Sequence, residues 1–390
     1  QLFSLLGSSI VQYGIIWWIT DSTGSAIYLS LAAFFSFLPM VIISPIAGVY
    51  IDRWNRKLTI LVMDSLQATV TFFLILAFFF NISEVWIVIS LNAIRGICQA
   101  FHFPAVHAII PLMVPKKHLS RINGANYLLT GIINSIGPAI GAYLYKFSIE
   151  FVLSVDIITF FIALVPLIMI KIPDISPKKE EFSFKKDFKL GVKVLKSVPA
   201  LLILLILISA INLLSVPFNT LMPLFIKSIH NGNEDNLALV LGLINMGMVI
   251  GSAFSIKKRY WKHKVKTILL GIIISAGGYF IATISPTGFF FMVGIGGLIR
   301  AAMIPVINTN FLTIIQTNVS SETQGRVMSI VIAIASAVSP IGMILSGPLA
   351  ELIGIIPLFL ICATLDMVCV VIVWFFTGIR KVKYEKQEED

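Results

Sequence analysis

Gly48-Val49-Tyr50-Ile51-Asp52-Arg53-Trp54-Asn55-Arg56-Lys57 is a short charged stretch set between two long apolar runs. The run before it covers about residues 27–46, and the run after it about residues 58–80. Each is long enough to cross a bilayer, which takes roughly 20 apolar residues. The stretch between them carries four charged side chains and is too short to fold as a domain. Two membrane helices joined by a tight charged turn decide the fold class: an all-α protein whose solvent is lipid.

The composition agrees. Of the 390 residues, 57% are hydrophobic and 12% charged, against about 25% charged in ordinary soluble domains. Twelve apolar segments succeed one another, near 2–20, 26–51, 58–80, 84–109, 122–145, 150–171, 199–226, 237–256, 265–284, 287–314, 326–350 and 355–378. Loops after the even-numbered segments, together with the C-terminal tail, hold 25 of the 29 Lys and Arg residues. Lys146 and Lys227 lie in loops on the other side, while Arg95 and Arg300 fall inside segments. Positive charge collects on the cytoplasmic face of membrane proteins, so both termini are expected there. The net charge of +10 is then lysine facing anionic lipid, and no nucleic-acid partner is expected. Cys98, Cys362 and Cys369 fall in apolar runs without metal-ligand spacing, so neither a disulfide nor a metal is expected. The chain opens at Gln1 already inside an apolar run, and a short leader is expected to precede it.

The organisation expected is a bundle at 1–172, a linker at 173–198, a second bundle at 199–378 and a cytoplasmic tail at 379–390. In the linker, Phe184, Phe188, Val192 and Leu195 recur at helical spacing, with Lys185, Lys186, Lys189, Lys193 and Lys196 on the other face. That pattern suits an amphipathic helix lying on the inner leaflet. The two halves correspond weakly. Arg95 and Arg300 are 205 residues apart, as are Arg121 and Arg326, and Asp156 and Asp366 are 210 apart. Two pseudo-symmetric six-helix bundles with a site between them follow from such a repeat.

Polar groups inside the apolar runs are the functional candidates. Arg95 lies eleven residues beyond Glu84, about 16 Å along a helix and so near the midplane. An arginine there needs a partner or water. Arg300 is its counterpart. Asp64, Asp156 and Asp366 are the buried carboxylates able to carry a proton, and tying helices together is an equal alternative for Asp156 and Asp366. Ser135-Ile136-Gly137-Pro138-Ala139-Ile140-Gly141 combines a kinking proline with small residues that let helices approach, with Gly137, Pro138 and Gly141 at its core. His102 and His107 are five residues apart and are read as packing. No phosphate loop, H-E-x-x-H or G-x-S-x-G is present, so no enzyme activity or cofactor is expected.

These features together resemble the major facilitator superfamily. Gly48, Asp52, Arg53, Arg56 and Lys57 match its loop between the second and third helices, G-x-x-x-D-R-x-x-R-K. Arg95 to Gln99 resembles its fourth-helix R-x-x-x-Q, with Ala100 where glycine follows in the family. Gly137-Pro138-x-x-Gly141 resembles the antiporter motif. Within the superfamily the chain is similar to drug:proton antiporters of the macrolide-efflux branch, on Thr23-Gly24-Ser25-Ala26, Ala100-Phe101-His102-Phe103-Pro104-Ala105, Pro111-Leu112-Met113-Val114-Pro115, Asp156 and Gly325-Arg326-Val327. The resemblance implies a twelve-helix fold in the plasma membrane. It implies a monomer that exports an amphipathic compound using the proton gradient, with lipid, protons and a small-molecule substrate as its partners. It implies that the loop at 48–57 gates the cytoplasmic side. It also implies a cavity lined by helices 1, 4, 7 and 10, with Gln12, Tyr13, Trp17, Asn92, Gln99, Asn212, Asn219, Asn308 and Asn310 as candidates beside Arg95. Export of a cell-made siderophore or lipid, and a non-transporting receptor on the same fold, are the alternatives.

The charge asymmetry makes a topological prediction. Cysteines placed at Lys57 and Lys262 are expected to react with a membrane-impermeant maleimide only in inside-out vesicles. Cysteines at Lys146 and Lys227 are expected to react only in intact cells. Labelling of Lys57→Cys and Lys262→Cys from opposite sides would refute the arrangement.

Overall fold

The computed structural model of the chain describes residues 2–51, 54–114, 118–170, 193–195, 197–198, 200–258 and 261–381. Twelve long helices are present among the described residues. They are α1 (Leu2–Thr23), α2 (Ala26–Ile51), α3 (Arg56–Phe79), α4 (Val85–Met113), α5 (Leu119–Tyr145), α6 (Ile149–Met169), α7 (Leu201–Leu224), α8 (Glu234–Lys257), α9 (Lys264–Thr283), α10 (Phe290–Asn318), α11 (Ser321–Ile353) and α12 (Ile355–Phe376). One π-helical turn, Phe225–Ile229, continues α7. No strand occurs among the described residues. The chain is an all-α membrane protein with twelve long helices, as the apolar segments indicated.

Over their described residues, eleven of the helices are long and apolar enough to cross a membrane. α5 has 27 residues, about 40 Å of helix. The expected amphipathic helix at 184–196 lies outside the described residues, apart from Lys193–Leu195, which are helical.

Burial runs opposite to that of a soluble protein. Phe376 is 83% exposed, Ile256 and Leu352 79%, whereas Arg95, Asp156 and Arg300 are 5% exposed and Asp366 2%. Lipid accepts the apolar exterior at no cost, and the buried ions must be matched inside.

The helices pack as two compact units. The first holds Gln1–Lys179 with Thr220–Gly242 and Met343–Glu351; the second holds Glu180–Asn219, Leu243–Gly342 and Leu352–Asp390. Thus α1–α6 fall in one unit, together with the ends of α7, α8 and α11 on the side of the α1–α2 turn. Within the first unit α1 lies against α5 and α6, α2 against α4, and α3 against α4 and α6. Ala47, Ile51, Ile60, Ala105 and Ile109 form a small core where α2, α3 and α4 meet. In the second unit α9 lies against α10 and α12. Leu201, Leu204, Ile268, Leu269, Ile314, Ile315 and Val327 join α7, α9, α10 and α11 in a larger core.

Small residues set the closest approaches. A Cβ on Gly96 of α4 would strike the Ser36 carbonyl of α2, and one on Gly251 of α8 would strike the backbone of Ala302 in α10. Lipid tails are as apolar as leucine, so helices gain by bringing backbones together at such points. Gly354, with φ +88°, turns the chain from α11 into α12 in a conformation that other residues rarely adopt.

Overpacking the α8–α10 contact tests this geometry. Gly251→Ala is expected to cost about 1–3 kcal/mol, read as a lower melting temperature and aggregation in detergent. Gly277→Ala in α9, where a Cβ meets nothing within 4 Å, is expected to melt like the parent. Equal melting of all three proteins would show that α8 and α10 are farther apart.

Candidate functional site

The first unit carries a continuous polar network in its apolar interior. Arg95 Nη1 of α4 donates to Asp156 Oδ2 of α6 at 2.6 Å. The same nitrogen donates to the Thr71 hydroxyl of α3, and Thr71 Oγ1 lies 2.7 Å from Asp156 Oδ2. Four residues further along α4, on the same face, Gln99 Nε2 donates to Gln67 Oε1 at 2.9 Å. Gln67 Nε2 in turn donates to Ser8 Oγ of α1 at 2.9 Å. Two neighbouring groups therefore lock α4 to α3, α6 and α1. Arg95 and Asp156 are each 5% exposed and Thr71 is wholly buried. Removing one ion of such a pair leaves the other charged and unmatched.

Gly7 of α1 makes room for this arrangement, since a Cβ there would meet the Thr159 side chain and the Asp156 Cα. Asp64, the third carboxylate candidate, lies with its Oδ1 3.2 Å from His102 Nε2. His102 Nε2 is buried beside this carboxylate without a hydrogen bond to it.

At the hinge, Asp52 and Arg53 lie outside the described residues, and Gly48 falls on α2. Asn55 caps α3, its Oδ1 accepting from Leu58 N at 2.9 Å. Lys57 Nζ reaches the carbonyls of Ile168 and Ile170, both at 2.7 Å. A cation there satisfies the unpaired carbonyls that end α6 and meets the negative end of its dipole. Arg56 opens α3 beside it. The antiporter-like segment faces α1: a Cβ on Gly137 would meet Ser9, and one on Gly141 would meet the Tyr13 ring, with Pro138 between them inside α5.

The cavity candidates divide. Tyr13, Trp17, Asn92 and Asn310 are buried, at 4%, 2%, 3% and 0% exposure. Asn92 Nδ2 donates to Ser36 Oγ of α2 at 2.6 Å, and Asn310 Nδ2 to Val306 O of its own helix at 2.9 Å. These side chains serve helix packing and do not front open space. Gln12, Gln99 and Asn212 are half-buried, and Asn219 and Asn308 are exposed. Asn212 Nδ2 lies 3.5 Å from Ala335 O.

In the second unit Arg300 and Asp366 are not paired as their counterparts are. The Arg300 guanidinium sits 4.8 Å from the centroid of Phe218 and 5.0 Å from that of Tyr279. Phe359 closes the aromatic group, 5.6 Å from Phe218 and 5.5 Å from Tyr279. Arg300 Nε and Asp366 Oδ1 are buried without a hydrogen-bond partner.

One constellation was not anticipated. At the end of the first unit opposite the hinge, Lys146 pairs with Asp235 at 2.6 Å and Lys227 with Asp21 at 2.5 Å. Ser25 Oγ donates to Glu351 Oε1 at 2.8 Å, and Tyr13 OH to Glu234 O at 2.5 Å. The hydrogen bond to Asp235 raises the Lys146 pKa above the usual lysine value. The available signal was that these are the two lysines on the sparsely charged side, each alone in a short loop. Among the described residues no group of His, Cys, Asp and Glu is arranged to hold a metal.

The sequence profile of the Major Facilitator Superfamily matches residues 1–299. The chain belongs to this superfamily. Among similar proteins is macrolide efflux protein A of Streptococcus pyogenes, 29% identical over 96% of this chain and 93% of that protein. Another is the staphyloferrin A transporter of Staphylococcus aureus, 23% identical over 99% of this chain and 96% of that one. Among solved structures, the nucleoside transporter NupG superposes with a TM-score of 0.69 at 13% identity, over 95% of this chain and 98% of that one. That likeness concerns the twelve-helix fold. Superfamily members of this kind are multi-pass membrane transporters of small molecules, not enzymes.

The buried pair should dominate the stability of the first unit. Asp156→Asn is expected to cost about 3–5 kcal/mol, because Arg95 stays charged and unmatched. Thr71→Val is expected to cost about 1 kcal/mol. The double variant Arg95→Met with Asp156→Leu is expected to recover most of the loss. Melting curves in detergent decide it, and a double variant no better than Asp156→Asn would refute the account.

Proposed function

We propose that this transporter exports an amphipathic, drug-like small molecule by alternating access, driven by inward movement of protons. The observation that carries the reading is the match to macrolide efflux protein A over nearly the whole of both chains. The sequence supports it further. It keeps the hinge pattern Gly48, Asp52, Arg53, Arg56 and Lys57, and the motif Gly137-Pro138-x-x-Gly141. In this reading the protein sits in the plasma membrane with both termini in the cytoplasm, works as a monomer, and needs no cofactor beyond the proton gradient. Asp52 and its basic neighbours close the cytoplasmic side in one state. Asn219 and Asn308, the exposed members of the candidate set, and half-buried Gln12 are the side chains open to a ligand.

A second reading is export of a cell-made metal chelator. The likeness to the staphyloferrin A transporter favours it.

Inside-out vesicles decide between them. Under an acid-inside gradient, a labelled macrolide is expected to accumulate, and a protonophore to abolish the accumulation. Asp52→Asn at parental expression is expected to slow uptake on the order of tenfold, equivalent to about 1.4 kcal/mol in barrier. Accumulation of chelator but not macrolide would favour the second reading. Accumulation indifferent to the gradient would overturn proton coupling.

A further inference from the structure

The two units carry the same pair of charges at corresponding places in corresponding helices and use them differently. In the first, Arg95 and Asp156 are bonded at 2.6 Å and share Thr71. In the second, Arg300 rests against the faces of Phe218 and Tyr279. Asp366, at 2% exposure, has a buried Oδ1 with no hydrogen-bond partner. Tyr279 of α9 meets Arg300 with its ring, whereas Thr71 of α3 meets Arg95 with its hydroxyl.

A buried carboxylate oxygen without a hydrogen bond is costly as an ion, and taking up a proton removes that cost. An arginine not bonded to a carboxylate can persist, because the aromatic faces attract it, most strongly when it is desolvated. The arrangement seen is therefore the one that suits a neutral Asp366. The titratable groups facing it are Tyr279 from α9, Arg300 from α10, and Cys362 and Cys369 on its own helix.

We infer that Asp366 is the carboxyl that takes up and releases the coupling proton, and that Arg300 is its switching partner. One proton from the aqueous phase binds a carboxylate oxygen, and the charge of the pair goes from zero to plus one. Arg300 then rests on the aromatic faces. When the proton leaves, the carboxylate draws Arg300 away from the rings. No other bond changes. Asp156, held by Arg95 and Thr71, is a fixed tie between helices. The inference rests on the proton-driven reading given above, and it selects one carboxyl among Asp64, Asp156 and Asp366.

Two readouts that require no substrate test it, so they stand or fall apart from the identity of the exported compound. The first treats the whole purified protein with a hydrophobic carbodiimide, which attacks protonated carboxyls in apolar surroundings. Adducts are mapped by mass spectrometry across a pH series. Asp366 is expected to be modified, less so as pH rises, and Asp156 to remain unmodified. The second follows the infrared carbonyl stretch of protonated carboxylic acids. A pH-dependent band is expected in the parent and in Asp366→Glu, and is expected to be lost in Asp366→Asn. In reconstituted vesicles Asp366→Asn is expected to retain substrate exchange but to lose gradient-driven accumulation. Modification of Asp156 in place of Asp366, no modification of either, or a titrating band that survives Asp366→Asn would overturn the assignment. Should Asp366→Asn fail to fold, the labelling of the parent protein alone decides.

Discussion

A guanidinium and a carboxylate bonded at 2.6 Å, closed off from both water and lipid, set the terms for the first unit. Neither ion is stable there without the other. The helices that bring them must therefore hold a fixed mutual register. α4 supplies Arg95, α6 supplies Asp156 and α3 supplies the hydroxyl that both touch. The glutamines one turn away extend the constraint to α1. The small residues of α1, α2 and α4 let these backbones approach until the polar groups meet. Lys57 adds a further tie where α6 ends. These ties hold α1, α3, α4 and α6 together as one body.

Much of this was legible before any coordinates. Apolar runs of span length are a strong signal, and they located twelve helices. Arg95 announced itself because a charge at that depth is costly. Its partner did not. Three carboxylates were eligible, and only the packing of α6 against α3 and α4 brings Asp156 to it. Thr71 and Gln67 gave no warning, since neutral polar residues are ordinary in membrane helices. The pairs made by Lys146 and Lys227 were invisible for a similar reason: each joins residues far apart in sequence. Position on helix 1, 4 or 10 does not fix which way a side chain is turned. Trp17, Asn92 and Asn310 are turned into the packing.

The likeness of the two units is a likeness of skeleton. Helices correspond, and so do the arginines and the carboxylates set 205 and 210 residues apart. The neighbours differ: threonine in one unit where the other has an aromatic ring. A small hydroxyl helps an ion pair to close, whereas a ring offers the cation a second resting place. A repeated fold thus holds one arginine in an ion pair and the other against aromatic rings, from a change of a few side chains.

The pairs Lys146–Asp235 and Lys227–Asp21 differ from Arg95–Asp156 in where they stand. Their side chains are between 30% and 52% exposed, so dissolved ions compete with them directly, with a screening length of about 8 Å at physiological ionic strength. The medium on that side of the membrane consequently has a grip on the helix ends gathered there. Brine loosens them and dilution tightens them, while the interior pair feels neither.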